Sequence, residues 1–280
     1  MDKPLKPTAC RQRLFKWGER TFVMGIVNLS PDSFSGDGLS TIDTAVEQAK
    51  RFVEEGADII DVGGESIRPN SQPITLDEEI ARLVPTIERL SQELSVPISV
   101  DSYKYEVVKE AIQAGAYIIN DVWGLKREPQ LAGLAAEHNL SIILTSNQRD
   151  NPCKGDILAE IISGLRHSIG LCKNAGVTDE NIIVDPGIGF GKTVEQNLEI
   201  IYRLAELKVL GKPILLGTSR KSFIGLTLDL PAGERLEGTA ATNAIGIANG
   251  ADIIRVHDVK FMSRVAKMSD AVVRREIYER

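Results

Sequence analysis

The sequence is poor in the residues that would point to disulfides, thiolate metal sites or a membrane. Only three cysteines occur in 280 residues, Cys10, Cys153 and Cys172, and no two of them form a CxxC pair. That spacing argues against a disulfide framework and a zinc site, and it suits a reducing cytoplasm. No apolar run approaches the roughly 20 residues that a membrane span needs. The lysines near Met1 have no apolar stretch behind them, so no secretory signal is read there. There is no surplus of positive charge either. A formal net charge of −6 offers no cationic field to nucleic acid or to an anionic membrane, so an anionic ligand would depend on local Arg and Lys. Low-complexity segments and long linkers are also missing.

The chain does have enough apolar material, 42% of residues, to bury a large core, with an ordinary 26% charged. Its length fits one large α/β barrel or two modest domains. From Phe22 onward, short β-branched runs alternate with amphipathic stretches of helical period. The runs are Phe22–Val27, Ile59–Val62, Ile98–Val100, Ile118–Ile119, Ile142–Leu144, Ile182–Val184, Ile214–Leu216 and Ile253–Val256. Helices are predicted over Ile42–Glu55, Leu76–Leu94 and Ile157–Asn174, among others. Several end in a glycine just before the next run, at Gly56, Gly115 and Gly250, where the left-handed conformation stops a helix. Eight units predict a single (β/α)₈ barrel over about residues 22–275, in preference to an open doubly wound sheet. Residues 1–20 lie outside that pattern and are read as an N-terminal extension with a hairpin about Gly18, closing the bottom of the barrel.

In such a barrel, chemistry gathers at the C-terminal strand ends. Here those ends carry Asn28, Asp61 with Glu65, Asp101, Asn120 with Asp121, Asp185, Ser219 with Lys221, and Arg255 with His257. Folding needs none of them, and a buried charge costs several kcal/mol unless it is paired. Their convergence predicts a polar pocket. Asp101, Asn120 and Asp185 offer acceptors that suit the N–H edge of a flat heterocycle. Arg68, Arg255 and His257, with Lys221, form a cationic group fit for phosphate oxygens. Arg255 and His257 are two residues apart, which places both on one strand face. His138 and His167 sit in helical stretches and are read as surface or packing residues. Pro186 to Thr193 nearly spells a phosphate-binding loop, but Pro186 stands where that motif needs glycine.

The motifs resemble those of the dihydropteroate synthase family. They are Met24-Gly25-Ile26-Val27-Asn28-Leu29-Ser30-Pro31-Asp32-Ser33-Phe34-Ser35, then Asp61-Val62-Gly63-Gly64-Glu65-Ser66 with Arg68-Pro69, then Asp101-Ser102 and Asn120-Asp121. Asp185-Pro186-Gly187-Ile188-Gly189-Phe190-Gly191-Lys192, Ser219-Arg220-Lys221-Ser222 and Arg255-Val256-His257-Asp258 complete the series in the family's order. The likeness covers about residues 22–270.

This resemblance implies a pterin-binding barrel enzyme of folate biosynthesis. It implies the joining of p-aminobenzoate to 6-hydroxymethyl-7,8-dihydropterin, carried as its pyrophosphate ester, with Mg²⁺ as cofactor and sulfonamides as inhibitors. It implies that Asp101, Asn120, Asp185, Phe190 and Lys221 hold the pterin, and that Arg68, Arg255 and His257 hold pyrophosphate. Asn28 would contact the metal. Ser219 and Lys221 would lie beside the aminobenzoate, with Phe34 and Pro69 closing over it from loops Leu29–Ser40 and Glu65–Thr75. Lys221, Asp101, Arg255 and His257 are the residues expected to carry catalysis. The implied partners are these small molecules and a second copy of the chain, with no nucleic acid and no membrane. Two positions depart from the family pattern. Ile67 replaces a threonine, and Thr145 replaces an apolar residue of the pterin pocket. The rival readings are a methyltetrahydrofolate–corrinoid methyltransferase, which needs no pyrophosphate site, and a catalytically silent pterin-binding protein.

Overall fold

A computed structural model describes residues 5–29, 41–65 and 72–275. Of the predicted site residues, Phe34, Arg68 and Pro69 lie outside the described residues, as does Ile67.

The strands are β1 (Thr8–Cys10), β2 (Arg13–Phe15), β3 (Phe22–Asn28), β4 (Ile59–Gly63), β5 (Ile98–Asp101), β6 (Ile118–Asp121), β7 (Ser141–Thr145), β8 (Ile182–Asp185), β9 (Leu215–Leu216) and β10 (Ile253–Val256). The helices are α1 (Ile42–Glu54), α2 (Leu76–Glu93), α3 (Tyr105–Gln113), α4 (Leu131–Glu137), α5 (Ile157–Ala175), α6 (Val194–Tyr202), α7 (Ser222–Leu228), α8 (Leu236–Ala248) and α9 (Val259–Val273). All eight predicted runs are strands. They pair in parallel in the order β8-β7-β6-β5-β4-β3-β10-β9. A bridge from Val184 to Ile214 joins the two edges, with Val184 N donating to Pro213 O at 3.0 Å. This is the expected barrel, with one addition: β9 is followed by two helices, α7 and α8.

Local chemistry sets the helix limits. Thr75 and Glu78 form a reciprocal cap on α2, and Thr193 and Gln196 do the same on α6. Asp156 accepts from Leu158 N and Ala159 N at the start of α5. Gly56, Gly115 and Gly250 have φ of +106°, +109° and +103°, the left-handed stop expected of them.

Two apolar layers hold the barrel. The larger lies between strands and helices and contains Val62, Val100, Leu144, Val184 and Val256. The smaller fills the lower barrel with Phe22, Met24, Ile59, Ile118, Ile143, Ile183, Leu215 and Ile253, joined by Cys10, Phe15 and Trp17 from the N-terminal segment. Each such buried aliphatic side chain contributes about 1.5–3 kcal/mol. The N-terminal hairpin therefore closes the barrel bottom as expected, but its turn is not at Gly18. Cys10 pairs with Arg13, so the turn is Arg11–Gln12. Arg11 takes φ +56° there, and its guanidinium donates to Ser91 O, Leu94 O and Val96 O at the end of α2. That tertiary anchor offsets the cost of a left-handed non-glycine residue. Among the described residues, no helix is long and apolar enough to cross a membrane.

Candidate active site

Successive inward-facing positions on a strand are two residues apart. Along those rows the barrel changes from apolar to polar in one step. Ile59 is followed by Asp61, Ile118 by Asn120, Ile143 by Thr145, Ile183 by Asp185, and Ile253 by Arg255. The first member of each pair belongs to the lower core. The polar tier above it, with Asp101 from β5, is the pocket predicted from the strand ends.

Arg255 organises this tier. Its Nε donates to Asp61 Oδ2 at 2.6 Å and its guanidinium reaches Asp101 Oδ2 at 2.5 Å. Asn120 Nδ2 donates to both Asp61 oxygens, at 3.3 and 3.2 Å, which turns its Oδ1 away as an acceptor. The expected separation of acceptors from cations is therefore corrected: Arg255 stands among the acceptors, because its place one step above Ile253 puts it in the middle of the mouth. Burial pushes the Asp101 carboxyl up to about 7, against the pull of Arg255. Burial also raises Asp185, against Lys221 and a hydrogen bond of 2.7 Å from Gly187 N. Asn28 is half-buried beside Gly63, where a Cβ would stand 3.7 Å from Asn28 Oδ1 and 3.6 Å from the Asp101 carboxylate.

Lys221 enters from the turn after β9. Its Nζ donates to Ile188 O at 2.5 Å and lies 4.8 Å from the centre of the Phe190 ring. Burial lowers its pKa to about 8, with Asp185 opposing and Arg255 reinforcing the shift. The preceding residue, Arg220, has φ +55°, a conformation that costs about 1–2 kcal/mol in a side-chain-bearing residue. The surroundings impose it. Thr239 Oγ1 accepts from Arg220 N at 3.1 Å, Arg235 donates to Arg220 O at 3.0 Å, and the Arg220 guanidinium grips Asp258 at 2.9 and 2.6 Å. Such strain gathers at functional sites.

Ser219 Oγ accepts from His257 N at 3.2 Å and lies 2.9 Å from His257 Nδ1. Burial, with Arg255, Arg220 and Lys221 adding repulsion, drives the imidazole down to about 3. The ring is therefore neutral. In the tautomer in which the Ser219 hydroxyl donates to Nδ1, the ring proton sits on Nε2, available to an anion.

The structure thus brings together Asp101, Asn120, Asp185, Phe190, Ser219, Lys221, Arg255 and His257, with Asn28 at the rim. Sequence reasoning passed over the pairing role of Asp61, which only its two-residue step from Ile59 signals. It also passed over Arg149, whose guanidinium carbon lies 4.9 Å from the Phe190 ring centre. Lys104 was missed as well. It bonds Glu65 and Glu79, both at 2.7 Å, and Ile74 O at 2.9 Å. Among the described residues, no group of three or more His, Cys, Asp or Glu is arranged to hold a metal ion. A cleft lined by Ser222, Leu226, Asp229 and Arg235 lies apart from the barrel mouth and contains none of the predicted residues.

The pattern of the pterin binding enzyme family matches residues 24–257. A dihydropteroate synthase of Clostridium beijerinckii is 52% identical over 263 residues, 93% of this chain and 97% of that protein. One from Bacillus subtilis is 50% identical over 269 residues, 96% of this chain and 92% of that protein. Among solved structures, a dihydropteroate synthase from Clostridium difficile in the presence of pteroic acid superimposes with a TM-score of 0.88 at 47% identity, covering 93% of this chain and 99% of that one. One from Xanthomonas albilineans with 4-aminobenzoic acid has a TM-score of 0.89 at 37% identity, covering 96% of this chain and 98% of that one.

Proposed function

The chain belongs to the dihydropteroate synthase family of pterin binding enzymes, and from that premise we propose that it joins p-aminobenzoate to 6-hydroxymethyl-7,8-dihydropterin pyrophosphate. The aniline nitrogen forms a bond to the pterin CH₂ carbon, the carbon–oxygen bond to pyrophosphate breaks, and the amine releases a proton. The observation that carries this reading is the polar tier itself, in which acceptors for a heterocycle edge and donors for an anion converge on one barrel mouth.

In this reading the protein works by positioning and by charge. Asp101, Asp185 and the Asn120 Oδ1 accept hydrogen bonds from the pterin's N–H edge, Lys221 donates to it, and Phe190 packs on its face. Asp61 and Asp101 hold Arg255 in place, and Arg255 and the His257 Nε2–H receive the leaving pyrophosphate together with Arg68. Ser219 and Lys221 flank the aminobenzoate, with Phe34 and Pro69 over it. Mg²⁺ fits as a partner of the pyrophosphate, because a hard ion of this kind takes one or two protein oxygens, substrate phosphate oxygens and waters. Asn28, with a neutral oxygen at the rim, would hold it, and the ion would neutralise departing charge.

The reading includes a homodimer and a cytoplasmic setting. Exposed Tyr202, Leu226 and Ile245, on the contacting helices α6, α7 and α8, offer apolar surface for a second copy. The three free cysteines suit a reducing compartment. Incubation with the two substrates and Mg²⁺ should yield dihydropteroate, and incubation with methyltetrahydrofolate and a corrinoid should yield no methyl transfer. The opposite pattern would favour the methyltransferase.

A further inference from the structure

The loop 186–193 resembles a phosphate-binding loop in sequence, yet its lysine turns inward. Lys192 Nζ donates to Ser146 O at 2.8 Å, Gly187 O at 2.9 Å, Phe190 O at 3.3 Å and Gln148 Oε1. All four acceptors are neutral. Gln148 is itself fixed, with Nε2 donating to Ser146 Oγ at 2.8 Å and its backbone N to Phe190 O at 3.1 Å. The Lys192 amine, whose pKa burial lowers to about 7 against the pull of Asp185, thus fastens the loop after β7 to the loop after β8. The two run so close that a Cβ on Gly187 would stand 2.0 Å from Ser146 O, and one on Gly191 2.4 Å from Arg149 N. Both glycines have positive φ, +72° and +70°. A lysine buried among carbonyls is costly unless its protons are used, and here three donors meet four acceptors.

We infer that Lys192, acting with Gln148, is a positioning residue that sets Phe190 and Asp185 against the heterocycle and so fixes affinity for the pterin substrate. The inference rests on the pterin reading above. Two contacts connect the fastening to that space. Ser146 N donates to Asp185 O at 2.9 Å, and the Phe190 ring, whose carbonyl Lys192 holds, lies between reach of Lys221 and Arg149. The backbone of the turn carrying Ser219 and Lys221 is held separately, by Thr239, Arg235 and Asp258, and only the tip of Lys221 reaches the fastened loop, at Ile188 O. Loosening the Lys192 bolt therefore weakens the pterin side and spares the aminobenzoate side.

The test compares full-length Gln148→Leu, Gln148→Glu and Lys192→Met with the unaltered protein, using steady-state kinetics in both substrates and direct titration of dihydropterin pyrophosphate. Gln148→Leu and Lys192→Met should raise KM and Kd for the pterin substrate about tenfold, the loss expected for one charge-assisted hydrogen bond. The KM for p-aminobenzoate should stay within about twofold, and Gln148→Glu, which keeps an acceptor for Lys192, should restore pterin affinity. An equal rise in both KM values, or a fall in kcat with both KM values unchanged, overturns the inference. If Lys192→Met does not fold, the Gln148 pair decides alone. An unaltered protein that turns over while Gln148→Leu matches it overturns this inference only. An unaltered protein that binds no dihydropterin pyrophosphate overturns the pterin reading and this inference with it.

Discussion

Arg255 Nε donates to Asp61 Oδ2 at 2.6 Å, across the barrel mouth and 194 residues of chain. The same guanidinium holds Asp101, so one cation compensates two buried carboxylates. Removing it leaves both charges uncompensated. Arg255→Met should therefore lower stability by about 3–5 kcal/mol at pH 7, as breaking a buried ion pair does. The loss should shrink as pH falls from about 7 toward 5 and the Asp101 carboxyl takes up a proton. Urea unfolding at both pH values checks this, and a constant loss would show that the carboxylates are not the cause.

Activity should follow two of the shifted groups. Asp101 near 7 and Lys221 near 8 set a bell-shaped kcat/KM profile, falling below about 7 as Asp101 gains a proton and above about 8 as Lys221 loses one. His257, held near 3, adds no limb between pH 5 and 7. Lys221→Met should abolish turnover, and a pH-rate profile of the unaltered protein should show the alkaline limb.

Stability should move the other way at Lys221. Its pKa is lowered in the folded state, so the folded chain binds fewer protons than the unfolded one between about 8 and the ordinary lysine value of 10.5. The penalty is full below about 8 and is relieved as pH rises toward 10.5. Lys221→Met removes a buried cation and should raise Tm at pH 7 by about 2 °C, a gain of roughly 1 kcal/mol. A lowered Tm would show that the lysine supports the fold.

Much of this was legible in the sequence, for physical reasons. Buried parallel strands are β-branched runs, and a charge two residues beyond Ile59, Ile183 or Ile253 has no folding reason to be there. The hairpin turn was misplaced because Gly18 carries the local signal, whereas Arg11 is held left-handed by three carbonyls at and just beyond the end of α2, contacts that no local pattern shows. Gln148 and Lys192 were equally hidden, since their meeting depends on two loops lying side by side. Thr145 was visible as a departure, and it stands beside Asp185 on the inner row, buried.

The bottom of the barrel offers a control. Asp270, fully buried, accepts from Thr21 N and Oγ1, both at 2.7 Å, and from Arg274 Nε at 2.8 Å. Asp270→Ala should cost about 3 kcal/mol and lower Tm by roughly 6 °C. Turnover per folded molecule should be unchanged, and a specific loss of kcat would contradict the division between fold and site drawn here.

Mg²⁺ dependence should run through the rim. Asn28→Ala should raise the Mg²⁺ concentration for half-maximal turnover about tenfold, with little change at saturating metal, as loss of one ligand to a loosely held ion does. An unshifted Mg²⁺ titration would remove Asn28 from the metal's environment.

The central claim is tested most directly by product stoichiometry in one reaction of the purified protein with dihydropterin pyrophosphate, p-aminobenzoate and Mg²⁺. The account predicts pyrophosphate and dihydropteroate in equal amounts, each requiring both substrates. Neither product at any Mg²⁺ concentration, or pyrophosphate released without dihydropteroate, would contradict it.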